Sequence, residues 1–407
     1  MEYDVIVVGA RVAGAATAML LARRGLRVLV LEQARFPSDT LSTHQIQLPG
    51  VACLARWGLL DKVIASNAPP AREAVFAPGS VRLAGRYPEF EGVDAVYSPR
   101  RFILDALLVD AARQAGAEVI EGFVVSGLIF DGDRVVGARG TEKGSAERTF
   151  RSRLVIGADG KHSKVAKWAG AAEYARRPTG SASFYTYLAG VPCPAGEMYA
   201  TSDHVAGYWP TNDGLTLAFV AVPTARFDEF RADLDARFLG LARQHLGDRA
   251  GSAKRVERFR ASPDLPNVFR TPFGPGWALV GDAGLVMDPI TGQGIGNAMG
   301  DAEALVEAVV SGLSGGDLTR QLKRFQKHRD RNRKQMYEMT SDISSFRTNP
   351  QGDALFETLS GNQVGIDRFL GVLTGTIAPN DFFSPVRLVT LLGFRPTMRL
   401  LRVREAA

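Results

Sequence analysis

The chain has 407 residues, 45% of them hydrophobic and 23% charged, an ordinary globular balance that excludes a disordered or fibrous protein and supplies a large core. Two cysteines, Cys53 and Cys193, stand far apart, which excludes a disulfide scaffold or a cysteine metal site and points to a reducing, cytoplasmic compartment. The net charge of +6 raises nucleic acid or an anionic membrane as a partner, but the clearest basic run, Lys323 to Lys334, has apolar Leu318, Leu322 and Phe325 at helical spacing, so its charges read as the wet side of an amphipathic helix without base-stacking aromatics.

The opening reads strand, tight turn, helix, strand. Val5–Val8 is a β-branched run, Ala13 to Arg24 an Ala/Leu helix ended by Gly25, and Val28–Leu31 a second strand, together one βαβ unit. Acidic Glu2 and Asp4 precede a first apolar run too short for a signal peptide, and no run is long enough to span a bilayer. Pro49 to Leu60 predicts a helix, Ala74 to Phe90 a hairpin, and Arg101 to Gln114 a helix with Leu104, Leu107, Leu108 and Ala111 on one face. Val119 to Ala138 alternates around Asp131-Gly132-Asp133, a hairpin turn, and Leu154–Ile156 is a short buried strand. Ser181 to Val222 alternates over long stretches, which predicts an antiparallel sheet inserted into the first unit. Phe227 to Leu246 predicts a helix, Trp277–Val280 a strand returning to the first unit, Ile295 to Val310 a helix, and the chain beyond Gly316 is helical to about Leu373 before a Pro-broken tail.

Three motifs carry chemistry. The first is Gly9-Ala10-Arg11-Val12-Ala13-Gly14 between a strand and a helix. A helix N-terminus offers free N–H groups and a positive dipole end to a pyrophosphate, Gly9 permits the tight turn, and Gly14 lets helix pack close to strand. Arg11 stands where the middle glycine of G-x-G-x-x-G usually lies, and Glu32 ends the second strand, where an acid accepts ribose hydroxyls. The second motif delivers Asp159-Gly160 and Ser163 from the strand Leu154–Ile156; Asp159 could equally cap the helix that follows. The third delivers Gly281-Asp282 from Trp277–Val280, followed by Asp288-Pro289-Ile290-Thr291-Gly292-Gln293-Gly294-Ile295-Gly296-Asn297, a glycine-rich loop opening a helix.

On these motifs, over roughly residues 3 to 310, the chain resembles the flavoprotein monooxygenases of the para-hydroxybenzoate hydroxylase type and their relatives, the geranylgeranyl reductases and flavin-dependent halogenases. The resemblance implies an α/β fold: a Rossmann-like FAD-binding domain (1–70, 100–180 and 270–315), an inserted antiparallel-sheet substrate domain (71–99 and 181–269), and a helical C-terminal region (316–407). It implies FAD as cofactor, held by Gly9, Ala13, Gly14 and Glu32 at the ADP end. Asp159 would support the pyrophosphate, Gly281 and Asp282 the ribityl chain, and Pro289, Gly292, Gly294, Ile295, Gly296 and Asn297 the isoalloxazine, with Arg101 nearby. It implies NAD(P)H as reductant, O₂ as co-substrate, and monooxygenation of a small, largely apolar organic substrate, with reduction as the alternative. Ser42 stands where many hydroxylases carry an arginine, Val165-Ala166-Lys167 follows the Asp-Gly motif, and the halogenase W-x-W-x-I-P signature is absent. No general base, metal cluster, nucleic-acid partner or membrane span is assigned. His44 and His162, near the cofactor segments, are candidates for a catalytic role, and His204, Tyr185, Tyr187 and Tyr208 for lining a substrate pocket, with structural roles the plainer reading. The aromatics Phe184, Tyr185, Tyr187, Tyr208, Trp209 and Phe219 suggest an apolar pocket.

Overall fold

In a computed structural model, residues 2–40, 42 and 44–403 are described; the last four residues of the predicted helical C-terminal region lie outside them. Five parallel strands form the centre of the first, eight-stranded sheet, in the spatial order Glu118–Glu121, Val28–Glu32, Tyr3–Val8, Arg148–Gly157, Trp277–Leu279. Numbered along the chain this is the order 3-2-1-4-5 of a Rossmann-like sheet, whose topological switch lies between Tyr3–Val8 and Arg148–Gly157. Val5, Ile6, Val7, Leu29, Val155 and Ile156 are all fully or almost fully buried, as strands covered on both faces require. The helices Val12–Arg23, Arg101–Gln114 and Gly294–Leu313 pack together against one face.

Ligands bind such sheets at the carboxyl ends of the strands near the switch point. All three motifs lie there: Val8 runs into Gly9, Gly157 into Asp159, Leu279 into Gly281 and Asp282, and Glu32 closes its own strand.

A second sheet has the order Lys254–Arg255, Ser181–Ala189, Thr216–Pro223, Val205–Pro210, Gly196–Ala200, Glu73–Pro78, Leu83–Arg86. Neighbours are antiparallel except Gly196–Ala200 with Glu73–Pro78, which are parallel, so the hairpin expected over 74–90 joins the expected antiparallel sheet through one parallel seam. Alternation along the strands sorts the aromatics. Phe184, Leu188, Tyr208 and Val220 face the helices Phe227–Arg231 and Leu234–Leu246. Tyr185, Tyr187, Val205, Trp209, Leu217 and Phe219 face the other way and pack with Ile290 of the third motif. Phe184 and Tyr208 are therefore removed from the pocket side.

Two further expectations change. The helix expected over 227–246 is interrupted at Asp233, at φ −143° and ψ 64°; aspartate competes for backbone hydrogen bonds and favours such breaks. The basic helix Leu318–Ile343 does not keep all its charges wet. Arg329 is 2% exposed; its guanidinium donates to Gly284 O, to Arg270 O at 3.0 Å and to the Tyr174 hydroxyl at 2.7 Å, and pairs with Asp330, so it bolts this helix to the third motif.

Candidate cofactor-binding site

The three loops touch because their glycines admit no side chain. Gly9 has φ +99°, and a Cβ there would lie 2.5 Å from Ala158 O. A Cβ on Gly14 would lie 1.9 Å from Gly9 O. Gly281, at φ +60°, would place one 2.7 Å from the Ala13 methyl, so Ala13 is small because the third motif rests on it. The first two motifs and the third are thereby fused into one cradle, with the second motif's Ala158 as its floor.

Two helix N-termini point their donors at this cradle. In Val12–Arg23 the first intrahelical bond is Ala15 N–H to Arg11 O, which leaves the N–H groups of Val12, Ala13 and Gly14 outside the helix ladder. In Gly294–Leu313 the first is Asn297 N–H to Gln293 O at 2.9 Å, which leaves those of Gly294, Ile295 and Gly296. Asn297 thus keeps only its side chain for a ligand. Gly294 is exposed, with nothing within 4 Å of where a Cβ would stand. The dipole of this long helix favours negative charge at that open point.

Glu32 is 4% exposed. Its carboxylate accepts from Ala10 N–H at 2.6 Å and from Ala34 N–H at 2.7 Å, and each oxygen retains a lone pair for a ribose hydroxyl. Asp159 takes the capping option: it accepts from the Ser163 hydroxyl and from Lys164 and Val165 N–H at 2.7 and 3.1 Å, starting the helix Lys164–Trp168. Oδ2 is taken up by that cap while Oδ1, with the Ser163 hydroxyl alone, retains a lone pair, and Ser163 adds its own cap to Ala166 N–H. Asp282 is the opposite case. Its side chain is exposed to water, yet the surrounding walls push its carboxyl up to about 6 against the pull of Arg101, Lys161 and Arg270. Access to water moderates that push, and the direction is that of a carboxyl set inside a groove. Asp288, by contrast, is buried; it accepts from Ser181 Oγ and from Ile290 N–H at 3.0 Å and shapes the turn at Pro289.

Arg101 is 8% exposed and clasps Asp105 one turn on, at 3.0 to 3.1 Å. Asp105, fully buried, also receives Arg11 Nη1 at 2.6 Å. Sequence reasoning passed over Asp105, although its i, i+4 spacing from Arg101 was a readable signal.

At the other end of the cradle, Gly292 adopts the left-handed conformation at φ +65°, where a Cβ would lie 3.2 Å from both Gln45 Oε1 and Gln47 Nε2. Both glutamines are buried, and Gln47 Oε1 has no partner among the described residues. Neither was anticipated from the sequence. His44 beside them is fully buried at φ +62°. Its Nδ1 lies 2.8 Å from Ser42 O and so carries the proton, leaving Nε2 to accept from the Tyr187 hydroxyl. Burial and the charge of Arg101 lower its pKa to about 3, so it is a neutral clamp between this loop and the second sheet. Tyr187 also receives Arg100 over its ring at 4.0 Å. The other histidines lie elsewhere: His162 is exposed beside Asp264, and His204 meets His245 on the helix-covered face of the second sheet.

A surface hollow of about 740 Å³ is bounded by Leu20, Trp57, Glu303, Phe325 and His328. It lies on the outside of the helices and holds none of the motif glycines, so the strand ends, where free N–H groups and Asp282 converge, mark the site. No group of three or more candidate ligands for a metal exists among the described residues.

A family model described as an FAD binding domain matches residues 2–340. The chain belongs to this FAD-binding family. It is a flavoenzyme of the oxidoreductase kind. Digeranylgeranylglycerophospholipid reductase of Methanosarcina mazei is 30% identical to it over 328 residues, covering 78% of this chain and 77% of the relative. The myxobacterial chondrochloren halogenase CndH shares the fold at a TM-score of 0.76 and 22% identity, over 98% of this chain and 96% of that one. PqsL of Pseudomonas aeruginosa, described as a probable FAD-dependent monooxygenase, shares it at 0.71 and 24%, over 89% and 99%. The residues present suit the group. The crowded glycines form a cradle a Cβ would fill, Gly294 leaves it open, and Gln47 Oε1 is a buried acceptor without a donor among the described residues, while the Asp282 carboxylate faces water.

Proposed function

We propose that this flavoenzyme is an NAD(P)H- and O₂-dependent monooxygenase of a small, largely apolar organic substrate. The observation that carries this reading is the layer placed over the cofactor loops: Tyr185, Tyr187, Trp209 and Phe219, each 1 to 4% exposed, packed with Ile290. A wall of this kind accepts apolar surface without leaving polar groups unpaired, and it keeps water from reacting centres. Bound FAD supplies the redox and oxygen chemistry. The chain's own part is to hold it: Gly9, Ala13, Gly14 and Glu32 at the ADP end, Gly281 and Asp282 along the ribityl chain, and the donors of Gly294, Ile295 and Gly296, with Gly292 and Pro289 shaping the loop, beside the ring. Arg101 stands near the ring in this reading, and Asn297 offers its side chain. Asp159 supports the pyrophosphate loop through its cap. Neutral His44 and Tyr187 tie the substrate layer, residues 71–99 and 181–269, to the cofactor domain and position it without exchanging charge. Both cysteines are buried and unbridged, which suits the cytoplasm.

The 30% identity to a reductase over 78% of the chain favours a second reading, FAD-dependent reduction of an apolar substrate. One experiment separates them. Substrate-dependent NAD(P)H oxidation is followed with and without O₂, and products are weighed by mass spectrometry. A product that gains one oxygen, formed only with O₂, supports the monooxygenase; a product that gains two hydrogens without O₂ assigns the reductase.

A further inference from the structure

We propose that the last two helices, Pro385–Leu392 and Phe394–Val403, dock this enzyme on an anionic lipid bilayer. Among the exposed large apolar side chains, Val386 at 76%, Phe394 at 67% and Val364 at 66% stand well above the others, which lie between 45 and 47%. They belong to one surface. Val386, Thr390 and Gly393 recur at the spacing of one helix face, all exposed, and Phe394 follows directly. Val364 joins them because Asn362 Nδ2 donates to Leu391 O at 3.0 Å. The inner faces are anchored instead: Leu388, Thr397 and Leu400 are buried, and Gln351 donates to Leu400 O.

The charge pattern selects the partner. From Phe382 to Val403 the sequence holds Arg387, Arg395, Arg399 and Arg402 and no acidic residue, and all four arginines are exposed. Acids stand on the flanking segments, Asp353, Glu357, Asp367 and Asp381 before the stretch and Glu405 after it in the sequence. Apolar side chains interleaved with arginine on short helices lie in a bilayer interface, with the arginines at anionic headgroups. A second copy fits poorly, since it would set the arginines of both faces against each other. No helix among the described residues is long and apolar enough to cross a membrane, so the contact is peripheral. The helix Gln363–Thr374 starts at this patch and ends where Leu373 O accepts from Gln293 Nε2 at 2.8 Å. The cofactor loop thus stands one helix length, about 18 Å, from the docking surface. The inference is independent of which reaction the flavin performs.

The test is flotation of the full-length, FAD-loaded protein with vesicles of phosphatidylcholine alone and of equal parts phosphatidylcholine and phosphatidylglycerol. Wild type floats with the anionic vesicles, less so as salt rises, and stays behind with neutral ones. Val386→Ser with Phe394→Ser weakens binding at least tenfold, and each of Arg395→Glu and Arg399→Glu weakens it about fivefold. All variants keep their FAD absorbance and melting temperature, which shows them folded. Absence of flotation by wild type overturns the proposal. So does flotation that none of the variants alters, or a solution dimer that the serine pair splits while wild type ignores vesicles.

Discussion

Arg11 Nη1 lies 2.6 Å from Asp105 Oδ2, on the helix that also carries Arg101. Arg11 occupies the place of the middle glycine, but its backbone is extended, φ −77° and ψ −169°, so it needs no glycine. Its side chain turns away from the free N–H groups of the helix start toward Asp105, Ser38 and Asp39. The departure from the glycine motif is thus a clamp, in which a fully buried carboxylate holds two guanidinium groups.

Arg11→Gly, which restores the motif on paper, should therefore lower stability. Asp105 keeps only Arg101, and the loss is about 1–3 kcal/mol for a partly buried charged hydrogen bond. Urea unfolding checks this. FAD affinity should not improve, because the removed side chain did not fill the cradle; a variant that is both more stable and tighter would refute the clamp.

Glu32→Ala should weaken FAD binding roughly ten- to a hundredfold, the equivalent of about 1.5–3 kcal/mol for hydrogen bonds to a charged acceptor. It should also lower the melting temperature of the apoprotein, since Ala10 and Ala34 N–H lose their partner. Equilibrium dialysis against FAD checks the first, thermal unfolding the second. An unchanged dissociation constant would remove Glu32 from the ribose.

Gly294→Ala separates fold from ligand. Nothing in the protein stands within 4 Å of the added methyl, and alanine is the better helix former by up to about 1 kcal/mol. The apoprotein should be unharmed or slightly more stable, while FAD binds at least tenfold more weakly because the methyl enters the cradle. Unaltered FAD affinity would mean that the cofactor does not approach this helix start.

Stability should carry a pH signature from Asp288, whose burial raises its pKa from 3.8 to about 6. A carboxyl with a higher pKa folded than unfolded binds its proton more tightly in the native state. Its contribution to stability is therefore present at low pH and is lost as the pH rises from about 4 to about 6. A shift of this size is worth roughly 3 kcal/mol. His44, held neutral, acts oppositely: the unfolded imidazole takes up a proton below about 6.5, so stability is lost as the pH falls. Asp288→Asn isolates the first effect, since its amide keeps an acceptor for Ile290 N–H and a donor for the Ser181 hydroxyl. Relative to wild type, the variant should gain about 2–3 kcal/mol between pH 4 and pH 7 in urea titrations. A difference that stays constant with pH would show that Asp288 is not buried as a charge.

The cofactor half of the fold is legible in the sequence because its signals are local. Gly9, Gly14 and Glu32 bracket one βαβ unit, and the helix Arg101–Gln114 appears with the expected bounds. What was illegible depends on distant partners. The parallel seam between Gly196–Ala200 and Glu73–Pro78 joins segments more than a hundred residues apart, and no local pattern announces it. The same holds for the buried Arg329, whose partners Gly284 and Arg270 lie far along the chain, so a wet helix face was the natural reading. Strand alternation could have split Phe184 and Tyr208 from Tyr185, Tyr187 and Trp209, but it could not say which face meets the cofactor. Asp159 reads as ligand or as cap with equal ease, and its cap becomes visible only in its bonds to Ser163, Lys164 and Val165.

The central claim is that the carboxylate of Asp282, delivered by its strand to a glycine turn and exposed to water there, faces FAD rather than shaping the turn. The direct measurement is the melting temperature of wild type and Asp282→Ala across an FAD titration. A ligand stabilises in proportion to the occupancy of its native site, so if the account holds, wild type gains much more than the variant at every subsaturating FAD concentration, while their apoproteins melt close together. If Asp282 only forms the turn, the variant melts lower by a fixed offset and both gain equally, a result that would contradict the account and leave the third motif without its part in the cradle.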